Sequence, residues 1–215
     1  MTVTVDAFQA LARSSPWRWR TLHFRHRDGS EEVEAWLRRP GRLLVRTADG
    51  REHRVTEPVG SYFPDISPGT VMGPRADSLR FEVDDPMWTN YAWVAMLDPV
   101  ELSHHVEVAS LREDLVAGRP AWRADLRALP GYDPRCGGNC CELLYSEAGL
   151  MSDYGSLDEV PDDLRGRTYP DHYDVALDVE TGVVVRCLPV GGEPDAAWLE
   201  VDILEVDADL DALFE

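Results

Sequence analysis

Between residues 17 and 57 the chain alternates polar and apolar side chains, and the alternation is broken three times, at Asp28-Gly29, Pro40-Gly41 and Asp49-Gly50. A period of two places successive side chains on opposite faces of a strand. Asp-Gly and Pro-Gly between such runs mark tight reversals, because glycine accepts the positive φ that short hairpin turns demand. The pattern therefore predicts a four-stranded antiparallel meander made of WRWRTLHFRHR, EEVEAWLRR, RLLVRT and REHRVTE. In the second strand Val33, Ala35 and Leu37 share one face, while Glu32, Glu34, Trp36 and Arg38 share the other, so one side of this sheet faces a core and the other faces water.

The same grammar returns after residue 105. VEVASLREDLV and RPAWRADLRAL flank Ala117-Gly118, YDVALDVETGVVVRCLPV turns at Glu180-Thr181-Gly182, and AAWLEVDILEV closes the region as a further strand. Helical spacing is confined to a few places. Val5, Phe8, Leu11 and Ala12 form an apolar stripe ended by Ser14-Ser15-Pro16. Most of residues 87–105 reads as helix, with Asp98 as an N-cap and Pro99 at the first helical position. Five prolines in residues 58–86 predict a long irregular connection, with Leu79, Phe81 and Val83 as a short strand within it. The chain thus reads as a single α+β domain over 1–215: helix and meander to residue 57, a Pro-rich loop and helices over 58–105, a second β region over 106–206 that carries an insertion at 130–168, and an acidic tail at 207–215.

Charge narrows the function. The formal net charge is −19, and every basic residue is arginine. Residues 1–60 hold eleven arginines against eight acids, which leaves ten against thirty-two in the rest. Such a surface opposes the counterion release that drives binding to DNA, RNA or anionic membranes, so no nucleic-acid partner is expected. A chain without lysine has neither a P-loop nor a Schiff-base lysine. The G-x-G-x-x-G, G-x-S-x-G and H-E-x-x-H signatures are also missing, and a non-enzymatic role is expected. The N-terminus lacks the basic, apolar and small-residue regions of a signal peptide, and no apolar run approaches the ~18 residues of a membrane span. A cytoplasmic location is the expectation.

Histidines and cysteines are the remaining reactive groups. His23 and His26 lie three apart on one strand and so leave opposite faces. His104-His105 read as surface positions, and Asp207, Asp209 and Asp211 lack the glycine and distal Glu of a calcium loop. Three of the four cysteines fall in CGGNCC at 136–141, a spacing that matches neither a zinc knuckle nor a thioredoxin motif. Unbonded thiols, a disulfide, and a zinc or redox site built from Cys136, Cys140, Cys141 and Cys187 with His172 all stay open.

Taken in order, WLRRPGRLLVRTADG (36–50), GRPAWRADL (118–126), YDVALDVETGVVVR (173–186) and LEVDILEV (199–206) resemble the LolA-like lipoprotein-carrier superfamily, which includes the sigma-factor regulator RseB. The resemblance implies an unclosed β-barrel: a strongly curved antiparallel sheet wrapped around a few helices. It implies a binding or regulatory protein whose cavity receives an acyl chain or a hydrophobic segment of a partner. Trp17, Trp19, Trp36, Trp93 and Trp122 are the candidates for the concave face, and a metal- or thiol-responsive protein acting through CGGNCC is the alternative.

Overall fold

A computed structural model describes residues 3–57, 85–134, 141–156, 158–162 and 164–215. Helix α1 (Val5–Ser14) starts where the Thr4 hydroxyl accepts from the Ala7 amide at 3.2 Å, and it ends in a 3-10 turn, Ser15–Trp17, that carries Pro16. Strands β1 (Thr21–Asp28), β2 (Glu32–Arg38), β3 (Arg42–Thr47) and β4 (Glu52–Thr56) form the meander, and all three predicted reversals fall between them. Hairpin β5 (Val106–Val116) to β6 (Arg119–Ala128) turns at Ala117-Gly118, where both residues have positive φ. That is the geometry whose twist matches that of the flanking strands. Hairpin β7 (His172–Asp178) to β8 (Val184–Val190) follows, and β9 (Leu199–Val206) returns to lie between β1 and β8. The two halves thereby join in one nine-stranded antiparallel sheet of order β4-β3-β2-β1-β9-β8-β7-β6-β5.

The sheet is two-faced. Leu22 and Phe24 of β1, Val33, Ala35 and Leu37 of β2, Leu43 and Val45 of β3, and Tyr173, Val175 and Leu177 of β7 enter one buried cluster. Helix α1 contributes Phe8, Leu11 and Ala12 to it, and α2 (Tyr91–Leu97) contributes Trp93, Ala95, Met96 and Leu97. The opposite face carries a charged lattice that crosses every strand. Arg112 and Arg123 reach Asp174, Arg186 bridges Asp174 and Glu200, and Arg27 meets Glu200 and Asp202. His23 sits between Glu205 and Glu34, and Arg46 between Glu34 and Glu52. Exposed pairs contribute little stability singly. Their consequence is register: a one-residue slip would put this lattice into the core.

Helix α2 departs from the sequence expectation. Asn90, not Asp98, caps it, its Oδ1 accepting from the Ala92 amide at 2.9 Å. Asp98 instead ends the helix with non-helical φ −137° and ψ 78°, as expected of a residue before proline, and a 3-10 turn follows over Val100–Ser103. His104 and His105 lie past that turn, not on a helix. Helix α3 (Glu147–Tyr154), capped by Ser146, stands within the 130–168 insertion. The acidic tail packs rather than floating. Asp207 Oδ1 accepts from the Arg20 and Thr21 amides, and Leu210, just before α4 (Asp211–Phe214), covers Trp36 and Leu44 on the charged face. The proposed strand at Leu79, Phe81 and Val83 lies outside the described residues.

Candidate functional site

At one end of the sheet three segments surround a cleft of about 500 Å³. The first is the β1–β2 reversal, where Asp28 Oδ1 accepts from the amides of Ser30 and Glu31 and from the Ser30 hydroxyl. The second is the approach to α2, held to that reversal by the Trp88 indole N–H, which donates to Glu31 at 2.7 Å. The third is the β8–β9 loop, from which Ala196, Ala197 and Trp198 face the cleft.

The floor consists of His26 and Trp93. Alternation along β1 sends His26 to the core face with Leu22 and Phe24, where it is only 5% exposed. Its ring lies 5.1 Å from that of Trp93, which also packs on Phe24 at 5.2 Å. His26 Nδ1 and Trp93 Nε1 are both buried and have no hydrogen-bond partner among the described residues. A buried polar group left unsatisfied costs about 1–3 kcal/mol, so the floor carries a standing penalty. Burial pushes the His26 pKa down to about 4, against the pull of the Asp28 carboxylate, so the ring is neutral at pH 7. Asp28 itself sits below its ordinary value: burial would raise it, but the hydrogen bonds from Ser30 and Glu31 and the charge of His26 outweigh burial.

A second cavity of about 220 Å³, lined by Cys141, Glu142, Tyr145 and Arg167, lies beyond the stretch Asp195–Ala197, which borders both spaces. Beside it the Tyr145 and Tyr169 rings stand 5.2 Å apart, and burial, with Tyr145 adding to it, raises Tyr169 to about 12. Next to Glu142 in the chain, Leu143 enters a buried polar knot in which Glu101 accepts from the Tyr132 hydroxyl at 2.6 Å and from the Leu143 amide at 2.9 Å.

The five tryptophans named from the sequence occupy different places. Trp93 floors the cleft and Trp19 is buried in the main core. Trp17 is buried in the 3-10 turn after α1. Trp36 leaves β2 on the charged face, stacked on His23 at 4.7 Å under the C-terminal tail. Trp122 lines a separate depression on the β5–β6 hairpin with Leu115 and Val179. Of the thiol set, Cys136 and Cys140 lie outside the described residues. Cys187 points into the core, where its thiol donates to the Leu143 carbonyl at 3.3 Å and burial raises its pKa. His172 shares its strand parity with Asp174, whose carboxylate lies on the charged face, so Cys187 and His172 leave opposite faces and are not brought together. Among the described residues no group of three or more His, Cys, Asp or Glu side chains is placed to hold a metal ion. His26, Trp198 and Asn90 complete the cleft and were not among the sequence candidates. The available signal was His26, an ionisable ring in the apolar register of β1.

No protein-family model matches the sequence, and neither does any curated protein. Solved structures of MucB match over nearly the whole chain at low identity. A complex of MucB with MucA(peri) covers 98% of this chain at 12% identity and a TM-score of 0.44. MucB alone covers 94% at 16% identity and a TM-score of 0.35, and a Pseudomonas aeruginosa MucA/MucB complex covers 97% at 15% and 0.37. The chain spans about three-fifths of the length of those solved chains.

Proposed function

We propose that this chain is a non-enzymatic binding or regulatory protein that holds an apolar ligand, either an acyl chain or a hydrophobic segment of a partner, between the apolar face of its sheet and the helices beside it. In this reading the sheet curls into a half-barrel and the cleft over His26 and Trp93 is its mouth. Neighbouring strands twist by roughly 20–25° each, and nine of them in an open sheet accumulate enough twist to bend around their cover. The contrast between one charged and one apolar face supports the same picture, because only the apolar face gains by being wrapped inward.

The observation that carries the reading is the cleft floor. A pocket with apolar walls and a few convergent polar groups is the usual form of a ligand site. Here Ala92, Ala196, Ala197 and Leu199 are the apolar part of the lining, Asp28, Ser30, Thr89, Asn90 and Asp195 share it, and the floor holds an imidazole Nδ1 and an indole N–H that have no partner among the described residues. Displacement of a fluorescent acyl probe, with native mass spectrometry of what organic extraction removes, tests it. Saturable probe binding lost on filling the cleft by Ala197→Trp is the expected result. A probe that finds no site, or one indifferent to that substitution, contradicts it.

A further inference from the structure

We infer that the occupant of the cleft is an apolar polypeptide segment, recognised by a main-chain amide placed over His26 and Trp93, with neutral or basic side chains at the rim. This inference rests on the binding role proposed above and goes further by choosing the ligand class.

The indole Nε1 of Trp93 is a donor only and needs an acceptor. A neutral imidazole that keeps its proton on Nε2 presents Nδ1 as an acceptor and needs a donor. A peptide unit supplies both in one rigid plane, with its C=O for Trp93 and its N–H for His26. A hydrocarbon tail supplies neither. A carboxylate or phosphate supplies acceptors alone and brings negative charge towards Asp28 and Asp195, in a chain whose net charge is already −19. Ala92, Ala196, Ala197 and Leu199 give the lining a small apolar part for the side chains flanking such an amide, while Asp28, Ser30, Asn90 and Asp195 give it a polar part that suits neutral or basic ones.

Both polar atoms are closed off from solvent, so the cleft must part to admit the amide. The wall suited to this movement is the β8–β9 loop. Strands β8 and β9 share only two registered pairs, Arg186 with Glu200 and Cys187 with Leu199, and the loop between them is anchored at Glu193, which exchanges bonds with Thr168 at 3.2 and 3.0 Å, so Asp195–Trp198 beyond that anchor is the stretch that moves. Opening there exposes two groups that gain partners by being exposed, which lowers the cost of parting.

The test is a fluorescence titration of the full chain at pH 7 with four probes: an N-acetylated, C-amidated Leu/Ala peptide bearing one Lys, the same peptide with its central amide replaced by an ester, N-methyldodecanamide, and dodecanoate. The peptide is expected to bind at least about tenfold more tightly than dodecanoate and more tightly than the ester analogue. Trp93→Phe and His26→Phe should each weaken the peptide about three- to tenfold, the range of one neutral hydrogen bond. The free protein's melting temperature should stay level or rise in both variants, which separates lost recognition from lost folding. Dodecanoate or N-methyldodecanamide binding as tightly as the peptide, or a peptide insensitive to both variants, overturns the inference while the binding role stands. Failure of all four probes overturns the binding role itself.

Discussion

The segment that floors the cleft is pinned by one buried ion pair, and removing half of it gives a sharp test of the packing. Arg39 at the end of β2 and Asp85 ahead of α2 have side chains 5% and 4% exposed. The guanidinium Nε and Nη2 donate to the two carboxylate oxygens at 2.8 and 2.6 Å, Nη1 donates to the Ser15 and Trp19 carbonyls, and the group lies over the Trp19 ring. Asp85→Ala leaves a buried guanidinium with two neutral acceptors and no counter-charge, a change that costs about 3–5 kcal/mol. Against a total of roughly 5–15 kcal/mol for a domain, that is a large share, and at about 2–4 °C per kcal/mol it lowers the melting temperature by roughly 6–20 °C. Urea unfolding followed by tryptophan emission should show a lower midpoint at unchanged slope. The double variant Arg39→Met/Asp85→Leu should lose much less than the two single losses added together, because an apolar pair strands no charge. An Asp85→Ala loss below about 1 kcal/mol, or strictly additive losses, would refute the reasoning.

Three further outcomes are expected. Because the folded pKa of His26 is lowered to about 4 from 6.5, the unfolded chain binds the extra proton between those values; this contribution is complete above pH 6.5 and falls as pH drops towards 4, by on the order of 3 kcal/mol. Urea midpoints at pH 7.5 and 4.5 should differ less in His26→Phe than in the parent, and equal differences would count against a buried neutral ring. Gly182 has φ +74° and an added Cβ would stand 2.8 Å from the Leu11 carbonyl oxygen, so Gly182→Ala should cost at least ~2 kcal/mol. Gly118→Ala, at φ +80° with open space around it, should cost only the backbone share of about 1 kcal/mol, and similar losses at both sites would contradict the close approach of this hairpin to α1. The Cys187 thiol, buried with a raised pKa, should resist thiol reagents in the native protein and react in urea; rapid native modification would contradict its placement.

The strands were legible in the sequence because their signals are local. Asp28-Gly29, Pro40-Gly41, Asp49-Gly50, Ala117-Gly118 and Thr181-Gly182 each mark a reversal between strands, and period-two alternation supplies the faces. The insertion of β9 between β1 and β8 was not legible, because strand order depends on long-range pairing that no turn encodes. Helix α2 was displaced because Asp98-Pro99 reads equally as a start and as a stop, and Asn90 decides the matter through a bond to Ala92 that depends on how the preceding segment approaches. The cleft was hidden for a similar reason. Trp93 is an ordinary apolar residue in sequence and His26 an ordinary strand position, and their meeting needs a helix from one region laid across a strand from another. Trp36 shows the reverse case: its parity with Glu32, Glu34 and Arg38 already assigned it to the charged face, where the tail residue Leu210 supplies the apolar cover that the pattern of β2 lacked.

Hydrogen exchange on the ligand-bound chain tests the location of binding most directly. With a saturating apolar peptide or acyl probe, amides of residues 89–93 and 195–199 should slow together, while the edge strands β4 and β5 keep their free rates. Protection confined to those edges or to the charged face, with both cleft segments unchanged, would contradict the claim that ligands enter over His26 and Trp93.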